Sequence, residues 1–146
     1  MSTEGTSPRF EAVTSCSIES LSTSLGRVRC THPARLEQMK RSLSLHGQLT
    51  PLIATRRDQA LELVDGFKRL SAAKALGWSS LHVAFRTFDG TTQWVAMMLL
   101  NRGPHSMMIL EEAMVLRELT KLGLSQTAVG ELLSRHKTWV SRRIGL

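Results

Sequence analysis

The chain has 146 residues, 42% of them hydrophobic, and a formal net charge of +7. That length holds one compact domain, or a small domain with an appended helical module. The charge favours a polyanionic partner, with nucleic acid ahead of a membrane surface. No apolar run approaches the ~20 residues needed to span a bilayer, and the start, MSTEGTSPRFEAVTSC, lacks the charged-then-apolar order of a signal peptide. The chain therefore reads as cytoplasmic, with no membrane partner. Cys16 and Cys30 have no CxxC spacing and are expected to stay reduced. The histidines at 32, 46, 82, 105 and 136 are scattered, and no metal site is expected from them.

In chain order, residues 1–23 are rich in Ser, Thr and Glu and read as a disordered lead-in. Ser24–Arg29 is expected to form a short first strand. Pro33 suits the first turn of a helix capped by Thr31 or His32, with Leu36, Met39, Leu43 and Leu45 at near-helical spacing and Gly47 as its stop. LIAT after Pro51 and ALELV before Asp65 read as a hairpin turning at Arg56–Gln59. Then Leu63-Val64 runs through Asp65-Gly66 into a helix that opens with Lys68-Arg69. Strand, glycine turn and basic helix start together make an anion-binding design: backbone N–H groups approach the ligand, and the helix start adds partial positive charge. An ordinary strand-to-helix turn with a solvated basic pair is the alternative. Gly77 closes this helix, LHVAF is a further strand, and Asp89-Gly90 is a turn.

Beyond residue 90 the strand signals stop. Thr91–Asn101 reads as a helix with Trp94, Met97, Met98 and Leu100 mostly in a core. Gly103-Pro104 breaks it, and Ser106 is a cap for a helix with Ile109, Ala113, Leu116 and Leu119 on one face. The segment 125–146 has the layout of a helix-turn-helix. Ser125, Gln126 and Thr127 start its first helix, and Val129, Leu132, Leu133, Val140 and Ile144 supply the packing. Lys137, Thr138, Ser141, Arg142 and Arg143 are left outward on the second helix. Hydroxyls reach phosphates or base edges and arginine reads guanine, so the mixture suits DNA. A basic helical hairpin packed on its own domain is the alternative.

From about Arg27 to the C-terminus the sequence resembles ParB-type partition proteins. Four stretches carry the likeness, in order: Gly47-Gln48-Leu49-Thr50-Pro51; Gly66-Phe67-Lys68-Arg69 with Ala72 and Ala73; Leu100-Asn101-Arg102 ahead of Glu111-Glu112-Ala113; and Ser125-Gln126 onward. The resemblance implies an α+β chain: a small ParB/sulfiredoxin-like α/β domain over 24–90, then an all-α segment over 91–146 ending in the helix-turn-helix. It further implies CTP binding that controls clamping on DNA, a role in plasmid or chromosome segregation or mobile-element regulation, and self-association through the N-terminal domain. Nucleotide phosphates would meet Gly47, Gln48, Thr50, Gly66, Lys68, Arg69, Asn101 and Arg102, with Asn101 on the side of a magnesium ion.

The sequence departs from the family pattern at three points. Phe67 stands in the place of one family glutamate, Leu100 in the place of another, and Arg102 follows Asn101 directly. Loss of both carboxylates weakens the case for magnesium and for CTP hydrolysis, so no catalytic residue is assigned. A CTP hydrolase or ParB-like nuclease on the same core remains an alternative function, and a non-catalytic fragment acting through protein interaction is another. Sulfiredoxin carries a reactive cysteine in its glycine turn, where Phe67 or Lys68 stands here, and no P-loop or Gly-x-Ser-x-Gly elbow occurs. The end of the chain within or just after the second helix suggests a truncated or divergent member with an incomplete helix-turn-helix.

Overall fold

The glycine turn after Asp65 joins an inner strand of a five-stranded mixed sheet to one of the helices that cover it. The computed structural model describes residues 13–30, 32–101 and 107–145. Its strands are β1 (Thr14–Ser17), β2 (Leu21–Ser22), β3 (Leu52–Arg57), β4 (Ala60–Asp65) and β5 (Ser80–Arg86). They lie in the order β1-β5-β3-β4-β2. β3 and β4 form the expected antiparallel hairpin, closed at Arg57 and Ala60, with Asp58 in the left-handed conformation at φ 55°. Asp tolerates that region better than most side chains. β5 returns parallel to β3 after a helical crossover.

Helices α1 (Pro33–His46) and α2 (Phe67–Ala75) supply Leu43, Leu70, Ala72 and Ala73 to a core shared with Leu52, Ala54, Leu63, Leu81, Val83 and Phe85 of the sheet. The small Ala72 and Ala73 are fully buried where α2 packs on the strands. Gly47 ends α1 at φ 68°, a conformation glycine adopts at no steric cost. Leu45, placed with the core by its spacing, is 70% exposed.

Two expectations need correction. Residues Thr14–Ser22 are not part of a disordered lead-in: they form β1, a 3-10 turn at Ile18–Ser20, and β2. β1 is polar, but an edge strand needs only backbone pairing on one side, and it pairs antiparallel with β5. Ile18 and Leu21 are buried and anchor the segment. Residues 1–12 lie outside the described residues. Ser24–Val28 is a 3-10 turn, not a strand. The buried Glu62 carboxylate takes hydrogen bonds from the Ser24 hydroxyl and from the Leu25 N–H at 3.2 Å, which curls the chain.

The chain divides into two compact units, Met1–Gly26 with Thr31–Thr87, and Arg27–Cys30 with Phe88–Leu146. The second unit is helical: α3 (Thr92–Leu100), α4 (Ile109–Lys121), α5 (Gln126–Leu133) and α6 (Lys137–Ile144). Trp94, Met97, Ala113, Val115, Leu116, Leu119, Val129, Leu133 and Val140 are among its buried side chains, whereas Leu100 is 41% and Ile109 53% exposed. The expected break at Gly103-Pro104 and cap at Ser106 fall outside the described residues. Asp89 does more than turn the chain. Its carboxylate accepts from the N–H of Thr91 and Thr92 at 2.9 and 2.7 Å, while the Thr92 hydroxyl accepts from the Asp89 N–H at 2.8 Å.

The hydrogen bonds from Thr92 and Thr91 hold the Asp89 carboxyl below its usual range, against a small opposing effect of burial. Because the folded pKa is depressed, the cap's contribution is complete above the unfolded Asp value and is lost as pH falls through the folded one. Because Asp89 is exposed and its hydrogen bonds are screened by water, Asp89→Ala should cost no more than about 0.5–1 kcal/mol at neutral pH. In urea titrations the gap from wild type should narrow below about pH 4; a gap that widens in acid would contradict this sign.

Candidate functional site

Two places gather the residues expected to contact ligands, one in each unit. The first is the turn between β4 and α2. Gly66 sits at φ 106° as the N-terminal cap of α2, and no side chain caps that helix. A Cβ at Gly66 would fall 2.3 Å from Leu52 Cδ2, so both conformation and space favour glycine. The first turn of α2 carries Lys68 and Arg69 and no acidic residue. Such a start attracts anions through its N–H groups and the helix dipole.

Gly47, Gln48, Thr50, Gly66, Lys68 and Arg69 all belong to this unit, and several of them hold one another. The Gln48 amide takes the His82 N–H at 2.8 Å and donates to the His82 and Thr50 carbonyls at 2.7 and 3.0 Å, standing in for a strand partner on β5. Arg69 Nη1 donates to the Thr50 carbonyl and hydroxyl at 2.7 and 2.8 Å, and its Nη2 lies 3.5 Å from Asp65. Burial pulls the Arg69 guanidinium below its usual range, with Asp65 opposing; arginine stays charged regardless. Arg69 thus ties the turn to the loop before β3 and spends donors there. Lys68 is half-exposed on the same helical turn. Phe67 packs against Gly26, where a Cβ would meet its ring at 2.8 Å.

Asn101 caps the end of α3 in the other unit, with its Nδ2 donating to the Met97 carbonyl at 2.6 Å. Arg102 lies outside the described residues. Among the described residues no group of three or more His, Cys, Asp or Glu side chains could hold a metal. Next to Asn101 the exposed Leu100 side chain offers no oxygen, so no carboxylate stands at that position for magnesium, which takes hard oxygen ligands.

The second place is the α5–α6 pair. Ser125 caps α5, its hydroxyl accepting from the Ala128 N–H at 3.1 Å. Ser134 ends α5 in the left-handed conformation at φ 56°, and the chain turns so tightly that the Arg135 N–H reaches the Gly130 carbonyl at 2.8 Å. A Cβ at Gly130 would lie 2.4 Å from the Arg135 carbonyl oxygen, which explains a glycine inside a helix. His136 caps α6: its Nδ1 accepts from the Thr138 N–H at 3.2 Å and pairs with the Thr138 hydroxyl. Arg117 of α4 donates to the Ile144 carbonyl at 3.1 Å and holds the far end of α6.

This packing buries Val129, Leu133 and Val140 and leaves Leu132 43% exposed. Ser125, Gln126, Thr127, Lys137, Thr138, Ser141 and Arg142 are exposed, and Arg143 is half-buried. A groove of about 440 Å³ runs along α6, lined by His136, Thr138, Trp139, Arg142 and Arg143. From Ser134 onward the chain carries Arg135, Lys137, Arg142 and Arg143 and no acidic residue. Sequence reasoning passed over Arg135, which the turn brings beside Trp139; its i, i+4 spacing from that indole was the available signal.

A five-stranded mixed sheet covered by two helices and followed by a helical unit places the chain in the α+β class. Residues 2–102 match the ParB N-terminal domain, and the chain belongs to that family. It is 22% identical over 113 residues to the nucleoid occlusion protein of Halalkalibacterium halodurans, covering 77% of this chain and 40% of that protein. The chain thus spans less than half the length of this relative. Among solved structures it is similar to C-terminally truncated chromosome-partitioning protein ParB from Caulobacter crescentus complexed with CTP-gamma-S. The TM-score there is 0.59 at 20% identity, over 92% of this chain and 77% of that one. The same protein complexed to the centromeric parS site gives 0.58 at 20% identity, over 90% and 70%.

Proposed function

We propose that this chain binds duplex DNA through α5 and α6, acting as a helix-turn-helix in chromosome or plasmid partition or nucleoid occlusion. The observation that carries the reading is the outer face of α6. Lys137, Thr138, Ser141 and Arg142 are exposed on it while Val140 anchors its inner face, so hydroxyls and cations are presented by a helix fixed from behind. Lys137 and Thr138 stand at its start, the part of a recognition helix that meets base edges. A ParB relative of the same fold was solved on its centromeric site, which is consistent with this use. Fluorescence anisotropy with labelled duplex should give binding that weakens steeply with salt, because each neutralised phosphate releases counterions. Binding indifferent to salt would sink the reading.

A second reading follows from the uncapped, glycine-started α2: the Gly66 turn with Lys68 cradles a nucleotide phosphate, CTP by likeness to the ligand-bound ParB. Two copies would associate through the first unit, where Leu49 beside Gln48 is 77% exposed. Lys68→Ala should weaken labelled CTP binding about fivefold, roughly 1 kcal/mol. Arg69→Ala should lower stability as well, since it unties Thr50 and Asp65. An absence of CTP binding at millimolar nucleotide, with and without magnesium, would reduce the turn to a structural element.

A further inference from the structure

We infer that Trp139 is a positioning residue that holds Arg135 and Arg143 ready for the phosphates of a bound duplex; this rests on the DNA-binding reading of α6. Trp139 and Arg143 stand four residues apart on α6, which puts their side chains on one helical face, and the tight turn after Ser134 brings Arg135 to the same indole. The guanidinium carbons of Arg135 and Arg143 each lie 4.9 Å from the centroid of the Trp139 indole. That is inside the ~6 Å reach of cation–π attraction, for which tryptophan is the best partner. The indole is half-buried beside the fully buried Val140, so it is a fixed platform.

An arginine carries large rotamer freedom, and ordering it on binding opposes affinity. A guanidinium lying flat on a ring keeps its donors in its own plane, at its edges, where a phosphate oxygen can take them. With both cations over its ring, Trp139 contributes through them and not as a stacking face for bases. With each guanidinium carbon 4.9 Å from one centroid, the two cations lie within about 10 Å of each other, Arg135 standing before α6 and Arg143 near its end. Arg143 and Trp139 line the groove that exposes Thr138 and Arg142.

The test compares duplex affinities of wild type, W139L, W139F, R135A/R143A, and each Trp139 variant in the R135A/R143A background, with thermal unfolding of each. W139L should weaken binding about fivefold to tenfold and W139F two- to threefold. In the background without the two arginines, neither should change affinity by more than about twofold. If W139L lowers the unfolding midpoint, W139F is judged by the same cycle. Wild-type affinity in W139L, or an equal loss with and without the arginines, would overturn the inference while leaving DNA binding intact. No duplex binding by the wild-type chain would overturn the DNA reading and this inference with it.

Discussion

Glu111→Ala should remove about 3 kcal/mol of stability in urea or thermal unfolding, a large part of what a small domain has. Glu111 is 2% exposed at the start of α4. Its carboxylate accepts the Met108 N–H at 2.8 Å, closing the helix start, and the Cys30 N–H at 2.9 Å. Arg29 Nε stands 3.3 Å away. Alanine would strand two backbone donors and a mostly buried cation at once, and unmade buried partners cost more than made ones contribute. Arg29→Ala should cost less, about 1 kcal/mol, because Glu111 would keep both N–H donors and lose only a one-point ion pair. If the two variants were equally destabilised, the ion pair and not the backbone anchoring would be the main support. Arg27 braces the same segment: its guanidinium lies over Trp94 at 5.0 Å and pairs with Glu118 at 3.1 Å. α4 carries Arg117, which fastens α6, so Glu111→Ala should weaken DNA binding too.

Arg142→Ala should weaken duplex binding about tenfold at physiological salt and lower the log–log salt slope by about 1, as expected for one lost phosphate contact. A loss of affinity confined to particular sequences, with the slope unchanged, would instead place Arg142 on a base edge. Arg143→Ala should act similarly, and its loss should shrink in the W139L background. Arg142 is exposed, so its loss should leave stability within about 0.5 kcal/mol of wild type, and Arg143→Ala should cost at most about 1 kcal/mol through its contact with Trp139.

Local signals carried much of this architecture. Pro33 and Gly47 bracket α1, the two-residue connection at Asp58-Gln59 closes a hairpin, Gly66 starts α2, and Ser125 caps α5. Each works through backbone geometry within a few residues, which a sequence displays. Long-range hydrogen bonding was not legible. Glu62 curls Ser24–Val28 from 37 residues away, and Glu111 captures Cys30 from 81 residues away, yet nothing beside either carboxylate in the sequence points to its partner. β1 is polar because it is an edge strand, so it mimics a disordered lead. At the candidate sites, Gly66 and Lys68 stand out by pattern. The inward commitment of Arg69 to Thr50 and Asp65 does not, because nothing in the run Gly66–Arg69 tells a buried arginine from a ligand-facing one.

If α6 is the surface that meets DNA, backbone amide chemical shifts of the labelled chain, followed during titration with duplex at low and moderate salt, should show it. Perturbations are expected at Arg135–Arg143 and at the capped start of α5 around Ser125–Thr127, fading as salt rises. Perturbations centred on the Arg56-Arg57 hairpin or the Gly66 turn, with α6 unmoved at saturation, would contradict it.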